Sequence, residues 1–294
     1  MTNVEVIAVF GSTASGKTAV AEALSSRLGT EVVSADALQM YAGLPILTNQ
    51  PDRPTRLVAV WPLDHEGSVA EYARMAHEAL DELVHSHGVA VLAGGTGLYL
   101  RAALAELELP PRPEPEARAR WTSVYDADPV AAYAELASRD QAAATLVHVN
   151  DRRRVVRALE LAEAGDSLVP AQDRLWAAET RRPTLVAGLD VPKEELARRI
   201  TERTDEMFRR GVVREVSDAL TQGDVSHTAE KALGLREIAE LDPSEARAAI
   251  VRRTTRYAAY QRKWMRRIPG IVMIDGDRPA EEVADAILEV ARTR

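Results

Sequence analysis

The chain has 294 residues, 46% of them hydrophobic and 28% charged, with a formal net charge of −8 and no cysteine. That composition suits a globular protein with one large domain or a core plus a smaller lobe. It excludes disulfides, thiolate zinc sites and cysteine nucleophiles, and no apolar stretch approaches the ~18 residues of a membrane span. Met1–Phe10 carries Glu5 and no basic group, so no secretory signal is expected and a cytoplasmic location is. The six histidines (His65, His77, His85, His87, His148 and His227) show no H-x-x-x-H spacing, which argues against a histidine-built metal site. The acidic balance argues against bulk, non-specific nucleic-acid binding. All but four of the 37 cations are arginine, so the placement of arginines carries more information than their number.

Val4–Phe10 is a β-branched, mostly apolar run, the pattern of a strand buried on both faces of a parallel sheet. Gly11–Gly16 reads as a loop, and Thr18–Leu28 has helical spacing (Val20, Ala21, Leu24, Leu28) stopped by Gly29. Glu31–Asp36 predicts a second short strand, Val69–His87 an amphipathic helix, and Val89–Ala93 a third buried strand running into Gly94-Gly95-Thr96-Gly97. Strands alternating with helices imply a doubly wound α/β core with a parallel sheet. The pattern changes at Pro110, Pro111, Pro113 and Pro115, a stiff junction leading into an alanine-rich helical stretch to about Ala164 and a loop-like segment from Gly165 to Arg182. Thr184–Asp190 predicts a strand returning to the core. Pro192–Gly211 reads as a helix, and the rest is helical apart from Ile271–Ile274. The expected organisation is a core from 1–111 and 183–294 with a mainly helical insertion at 112–182.

Gly11-Ser12-Thr13-Ala14-Ser15-Gly16-Lys17-Thr18 matches the phosphate-loop (P-loop) pattern G-x-x-x-x-G-K-[ST], with a strand before it and a helix after it. Its glycines let backbone N–H groups converge on phosphate oxygens at a helix N-terminus. Lys17 supplies a point charge, and Thr18 is placed to hold a phosphate oxygen or Mg²⁺. The pattern is that of nucleotide-binding, including ATP-binding, proteins. It specifies a diphosphate or triphosphate without saying which. Nucleoside triphosphatases usually hold Mg²⁺ with an Asp at the end of a buried strand, but here the third strand ends in glycines without an acid. The available carboxylate is Asp36, at the end of the second strand, which opens on the same crevice as the loop. There it could accept a proton from an acceptor attacking the phosphate-bearing substrate, or merely cap the turn it begins.

Two basic runs stand above the arginine background. Asp151-Arg152-Arg153-Arg154-Val155-Val156-Arg157 opens a helix with Asp151 at the N-cap, and cations there oppose the helix dipole, so something anionic should offset them. Arg252–Arg267 holds seven cations and no acid. On a helix Arg252, Arg256, Lys263 and Arg267 fall within a stripe roughly 60° wide beside an apolar stripe of Ile250, Tyr257 and Trp264. Either run alone reads equally as a solvated arginine-rich face; together, in an acidic protein, they favour a polyanionic partner.

Across nearly its whole length the sequence resembles the tRNA dimethylallyltransferases (tRNA isopentenyltransferases). The blocks that carry the resemblance are Gly11–Thr18, Ser34–Tyr41, Gly94–Tyr99, Asp151–Leu159, Ala232–Glu237, and Thr255-Arg256-Tyr257 with Gln261 and Trp264. It implies a P-loop α/β core with an inserted tRNA-binding subdomain. The implied reaction is transfer of a dimethylallyl group from dimethylallyl diphosphate to the N6 amine of the adenosine following the anticodon, in tRNAs that read codons beginning with U. It further implies Mg²⁺ as cofactor and the anticodon stem-loop as partner; with tRNA occupying much surface, a monomer is expected. By the same resemblance Asp36 is the general base, and Ala37, Leu38 and Gln39 contact the target nucleotide. Lys17, Thr18 and Arg203 stabilise the leaving diphosphate, and Gly11 to Gly16, Thr13 in particular, hold the prenyl donor. Thr96, Arg118, Arg153, Arg154, Arg157, Lys231, Gly234, Arg236 and Arg256 match tRNA-contacting positions.

The chain departs from the family pattern at several places. Ser12 stands where proline is usual, Leu47-Thr48-Asn49-Gln50 where G-T-A-K is usual, and a shortened Val58–Asp64 where a histidine-containing stretch is usual. Leu235 replaces an aromatic and Ala259-Tyr260 a Lys-Arg pair. Two other readings stay open at this level. One is a P-loop small-molecule kinase, which leaves both basic runs unexplained. The other is a non-catalytic tRNA-binding relative, suggested by the departure at Leu47–Gln50.

Overall fold

The computed structural model describes residues 4–110, 114–170 and 174–293. In chain order the core begins β1 (Val6–Phe10), α1 (Lys17–Leu28), β2 (Val32–Ser34), α2 (Val69–His87), β3 (Ala90–Gly94) and α3 (Gly97–Leu104). The inserted helices are α4 (Pro115–Ala127), α5 (Pro129–Arg139), α6 (Gln141–Leu146) and α7 (Arg152–Glu163). The core resumes with β4 (Thr184–Asp190), α8 (Lys193–Arg209), α9 (Val212–Gln222), a 3₁₀ turn at Ala229–Lys231, α10 (Leu235–Glu240), α11 (Pro243–Met265), β5 (Val272–Asp275) and α12 (Ala280–Arg292).

The strands form one sheet in the order β2-β3-β1-β4-β5, each neighbouring pair parallel. Parallel pairing gathers the carboxyl ends of all five strands on one edge. Every residue of β1 is buried, as expected of a strand covered on both faces. Ile7 and Val9 share a core with Val20 and Leu24 of α1 and with Val283 and Ile287 of α12. Their neighbours Val6, Ala8 and Phe10 point the other way, as side chains alternate along a strand. α2 starts where the Ser68 hydroxyl accepts from the Glu71 backbone N–H and stops at Gly88 in the left-handed conformation, which glycine adopts without Cβ strain.

β2 is shorter than the sequence predicts. Ala35 still donates to Ala93 O at 2.7 Å, but the Ser34 hydroxyl then accepts from the Asp36 N–H and the Asp36 carboxylate from the Leu38 N–H, so side chains replace the ladder and turn the chain out of the sheet.

The chain divides into two compact units, Met1–Glu106 with Leu175–Arg294, and Leu107–Arg174. The sequence places the insertion at 112–182 and the first core segment at 1–111, but residues 107–110 fall in the smaller unit. Residues 175–182 instead belong with the core, because Arg101 donates to the carbonyls of Leu175 and Ala177, and Arg181 pairs with Asp81 and Glu106. The smaller unit has its own core of Trp121, Tyr125, Leu136, Val155 and Leu159.

Candidate active site

The loop after β1 folds tightly. Ser15 N–H donates to Ser12 O at 3.0 Å, and Ala14 and Gly16 take positive φ values of 64° and 86°. A Cβ on Gly11 would come within 2.3 Å of the Ser15 hydroxyl, so any side chain there would displace Ser15 from its present position. Gly16 is the N-cap of α1 and supplies no side-chain cap, which leaves the first-turn amides of the helix for a ligand. The Ser15 hydroxyl is buried and has no hydrogen-bond partner.

Beside this loop stand two partly buried cations, Lys17 on α1 and Arg203 on α8, and neither forms an ion pair among the described residues. Burial, and then the nearby Arg203, act to hold the Lys17 ammonium below its ordinary value, with Asp36 opposing. Burial likewise pulls Arg203 down against the attraction of Asp36. Two like charges in a desolvated place, offset chiefly by one carboxylate, make a site that favours a further anion.

The Asp36 carboxylate accepts from Leu38 N–H at 3.1 Å, so it does cap its own turn, and its charge also reaches three phenols. Burial first, and Asp36 among the further causes, raises Tyr72 and Tyr99 well above the usual tyrosine value and Tyr257 to about 12. Tyr72 donates to Ser34 O at 3.1 Å and packs on Tyr99 with ring centroids 4.4 Å apart. Tyr99 and Tyr257 lie in blocks that carry the family resemblance, and Tyr257 on the expected apolar stripe, but sequence places neither beside Asp36 and does not single out Tyr72. Its place on the buried face of α2 resembles any core aromatic.

Gln39, expected at the nucleotide, is anchored by its carboxamide, which accepts from Ser34 Oγ at 3.1 Å and donates to Asn49 O at 2.8 Å. The departures from the family pattern fit around it. Gln50 Nε2 donates to Tyr41 O at 2.7 Å and to Gln39 O at 3.2 Å. The backbone of Ala59 donates to Gln39 O and that of Trp61 to Met40 O, so the shortened Val58–Asp64 stretch still braces this segment. Glu215 of α9 accepts from the Ile46 and Leu47 N–H groups, each at 2.7 Å, a clamp not foreseen from sequence. Leu47 is buried near Gly234, whose positive φ of 106° favours glycine and whose Cβ position would lie 2.8 Å from a Leu47 methyl. Leu235 lies in the same core, and Ala259 and Tyr260 are exposed.

On α11, Tyr257, Gln261 and Trp264 turn inward onto the loop after β3. Tyr257 OH lies 3.4 Å from the Thr96 hydroxyl, Gln261 donates to Gly95 O, and a Cβ on Gly97 would meet the Trp264 ring at 2.2 Å. The opposite face carries the basic run. Arg253 pairs with Glu237 and Arg262 with Asp190, whereas Arg252, Arg256, Lys263 and Arg266 are exposed without an ion pair among the described residues. The helix ends at Met265, so Arg267 leaves the expected stripe and stacks on the Trp176 ring at 3.7 Å. Lys231 lies on the 3₁₀ turn, and Arg236 pairs with Glu230 at 3.1 Å.

The first basic run lies in the smaller unit and is largely offset from within. Asp151 caps α7, Arg152 pairs with Asp126 at 2.6 Å, and Arg157 and Arg118 share the buried Glu160. The anion expected there from sequence is therefore supplied in part by the chain itself, leaving Arg153 exposed and Arg154 3.7 Å from Asp151.

The chain matches the family described as IPP transferase over residues 39–268 and that described as Isopentenyl transferase over residues 4–59. It is 38% identical over 284 residues to a tRNA dimethylallyltransferase of Streptomyces coelicolor, covering 92% of this chain and 90% of that relative. A crystal structure of the full-length tRNA isopentenylpyrophosphate transferase from Bacillus halodurans superposes with a TM-score of 0.69 at 26% identity, covering 98% of this chain and 97% of that one. A eukaryotic dimethylallyltransferase captured acting on tRNA shares the fold with a TM-score of 0.81 at 24% identity, covering 99% of this chain and 80% of that one. The phosphate-loop sheet with Asp36 at its edge thus sits in a chain that belongs to the IPP transferase family of tRNA dimethylallyltransferases.

Proposed function

We propose that this chain transfers the dimethylallyl group of dimethylallyl diphosphate to the N6 amine of the adenosine that follows the anticodon in tRNA. The observation that carries the reading is the pair of partly buried cations, Lys17 and Arg203, left without ion pairs beside a phosphate loop and facing Asp36. The N6 nitrogen attacks the allylic carbon and the C–O bond breaks with its electron pair going to the diphosphate, while the N6 proton passes to the Asp36 carboxylate. The adenine amine is a weak nucleophile, so the base must leave the stack and meet a proton acceptor. Lys17, Arg203 and the amides at the start of α1 meet the charge that grows on the departing diphosphate. Gln39, held through its carboxamide, and Thr96 border the place where the flipped base would lie. Arg153 and Arg154 on the smaller unit, and the exposed cations of α11, supply positive surface for tRNA phosphates.

The residues present fit Mg²⁺ held mainly by substrate. No group of three or more His, Asp or Glu side chains able to hold a metal occurs among the described residues, and Mg²⁺ commonly binds through substrate phosphates with few protein ligands. The Thr18 hydroxyl, and the Ser15 hydroxyl that lacks a partner, are the candidate oxygens. The ion would neutralise charge on the diphosphate.

Protein, Mg²⁺, dimethylallyl diphosphate and unmodified tRNA, followed by nucleoside digestion and mass spectrometry, test the reading. One prenyl group on the adenosine beside the anticodon is expected. Firm tRNA binding without product would point to a non-catalytic relative, and ADP formed from ATP with a small alcohol would point to a kinase.

A further inference from the structure

Gln261 is 2% exposed, and its carboxamide lies between the two loops that form the site. Its Oε1 accepts from the Thr13 backbone N–H at 2.7 Å, and its Nε2 donates to Gly95 O at 2.9 Å. These partners fix the orientation of the amide, since only the oxygen can accept from Thr13 and only the nitrogen can donate to Gly95. Gly95 is shaped to receive it, because a Cβ there would lie 2.4 Å from Nε2 and 2.8 Å from Gly11 O. Gly11 N–H in turn donates to Gly94 O at 3.3 Å. The first turn of the phosphate loop is thus tied to the β3–α3 loop by one side chain borne on α11. A polar side chain between Tyr257 and Trp264 on an otherwise apolar stripe must have buried partners to be tolerated, and here it has them.

We propose that Gln261 is the positioning residue of the phosphate loop: by holding the Thr13 amide against Gly95, it fixes where the following amides, Ala14 to Thr18, point, and so sets the affinity for the donor's diphosphate. The identity of the donor rests on the function proposed above; the clamp itself requires only that the loop bind a diphosphate. Thr13 N–H is committed to Gln261 rather than to ligand. Releasing it lets the loop, already bent through Ala14 at a positive φ of 64°, relax to other shapes.

The test uses inorganic pyrophosphate as probe, together with steady-state kinetics on the full chain. Gln261→Met keeps length and apolar contact but loses both hydrogen bonds. It is expected to raise the pyrophosphate Kd, and the KM for dimethylallyl diphosphate, by about tenfold, with the KM for tRNA within about twofold of the parent. Gly95→Ala, which displaces the carboxamide, should give the same donor-selective loss. Gln261→Glu gives a signature that a merely structural role would not produce. A protonated carboxyl reproduces both bonds, whereas a carboxylate repels Gly95 O, so the ratio of variant to parent Kd should fall toward one as pH is lowered. Unchanged pyrophosphate affinity in folded Gln261→Met, or equal losses for pyrophosphate and tRNA, would overturn the proposal. If the parent binds pyrophosphate yet transfers no prenyl group, the function proposed above fails while the clamp is still tested by binding.

Discussion

Lys17 and Arg203 approach each other from α1 and α8 with like charges in a desolvated place, and Asp36 is the carboxylate whose charge acts on both. A cation whose folded pKa is lowered works against folding while it is protonated. Between its folded value and the ordinary lysine value the unfolded chain holds the proton and the folded chain does not, so the ligand-free protein gains stability as pH rises through that window.

A bound diphosphate should reverse this by restoring the Lys17 proton. Calorimetry of pyrophosphate binding in buffers of different ionisation enthalpy is expected to show proton uptake within that window, and Lys17→Met should abolish it. The same variant should melt no lower than the parent without ligand, since removing a desolvated unpaired charge is neutral or stabilising. It should lose at least about tenfold in pyrophosphate affinity, as expected for a charge-assisted contact. A marked drop in the ligand-free melting temperature would show that Lys17 has an internal partner instead.

Asp36 caps its own turn and, in the proposed reaction, accepts the N6 proton; one substitution separates the two. Asparagine retains an oxygen to accept from Leu38 N–H, so Asp36→Asn should keep the turn, the fold and pyrophosphate binding. It cannot accept the N6 proton, so turnover should fall about 10²- to 10⁴-fold with tRNA binding little changed. Abundant turnover in this variant would remove Asp36 from the proton-acceptor role.

The parts of this site that sequence makes legible are those with local signatures. Gly11–Thr18 announces itself because a tight turn, a converging set of amides and a cation must occur at fixed spacing, and the strand-then-glycine pattern at Gly94 marks a close approach. Asp36 was legible through the topology, since parallel strands end on one edge. Gln261, Glu215, Tyr72 and Arg101 were not, because each acts through a partner distant in sequence. Gln261 meets Thr13 across 248 positions and Glu215 meets Ile46 across 169. No window of sequence contains both members of such a pair. The first basic run misleads in the other direction. Arg152 looks like part of an anion site in sequence, but Asp126 comes to it in the fold, and Arg157 finds Glu160 one turn along its own helix.

That internal pairing makes a stability prediction for the smaller unit. The Glu160 side chain is 1% exposed and receives both Arg118 and Arg157. Arg118→Ala with Arg157→Ala leaves a buried carboxylate without its cations and should destabilise the unit by about 3 kcal/mol. Adding Glu160→Gln or Glu160→Met should restore much of the loss. Thermal or denaturant unfolding measures this directly, and additive behaviour with no rescue would show that the arginines do not act through Glu160.

The exposed face of α11 is expected to behave differently, because Arg256 and Lys263 form no ion pair among the described residues. Arg256→Ala with Lys263→Ala should leave the melting temperature and pyrophosphate affinity close to those of the parent. tRNA binding should weaken, and the slope of log Kd against log salt should flatten by roughly 1–2 as up to two phosphate contacts are lost. Position on the helix supplies the contrast. Tyr257, Gln261 and Trp264 point at the loops of the site, and Arg256 and Lys263 point to solvent. A substitution on the outer face should therefore change tRNA affinity alone, and one on the inner face donor affinity. Equal loss of both ligands in the Arg256 and Lys263 variant would mean that the helix moves as a unit when its charges are removed, and that the basic face is structural.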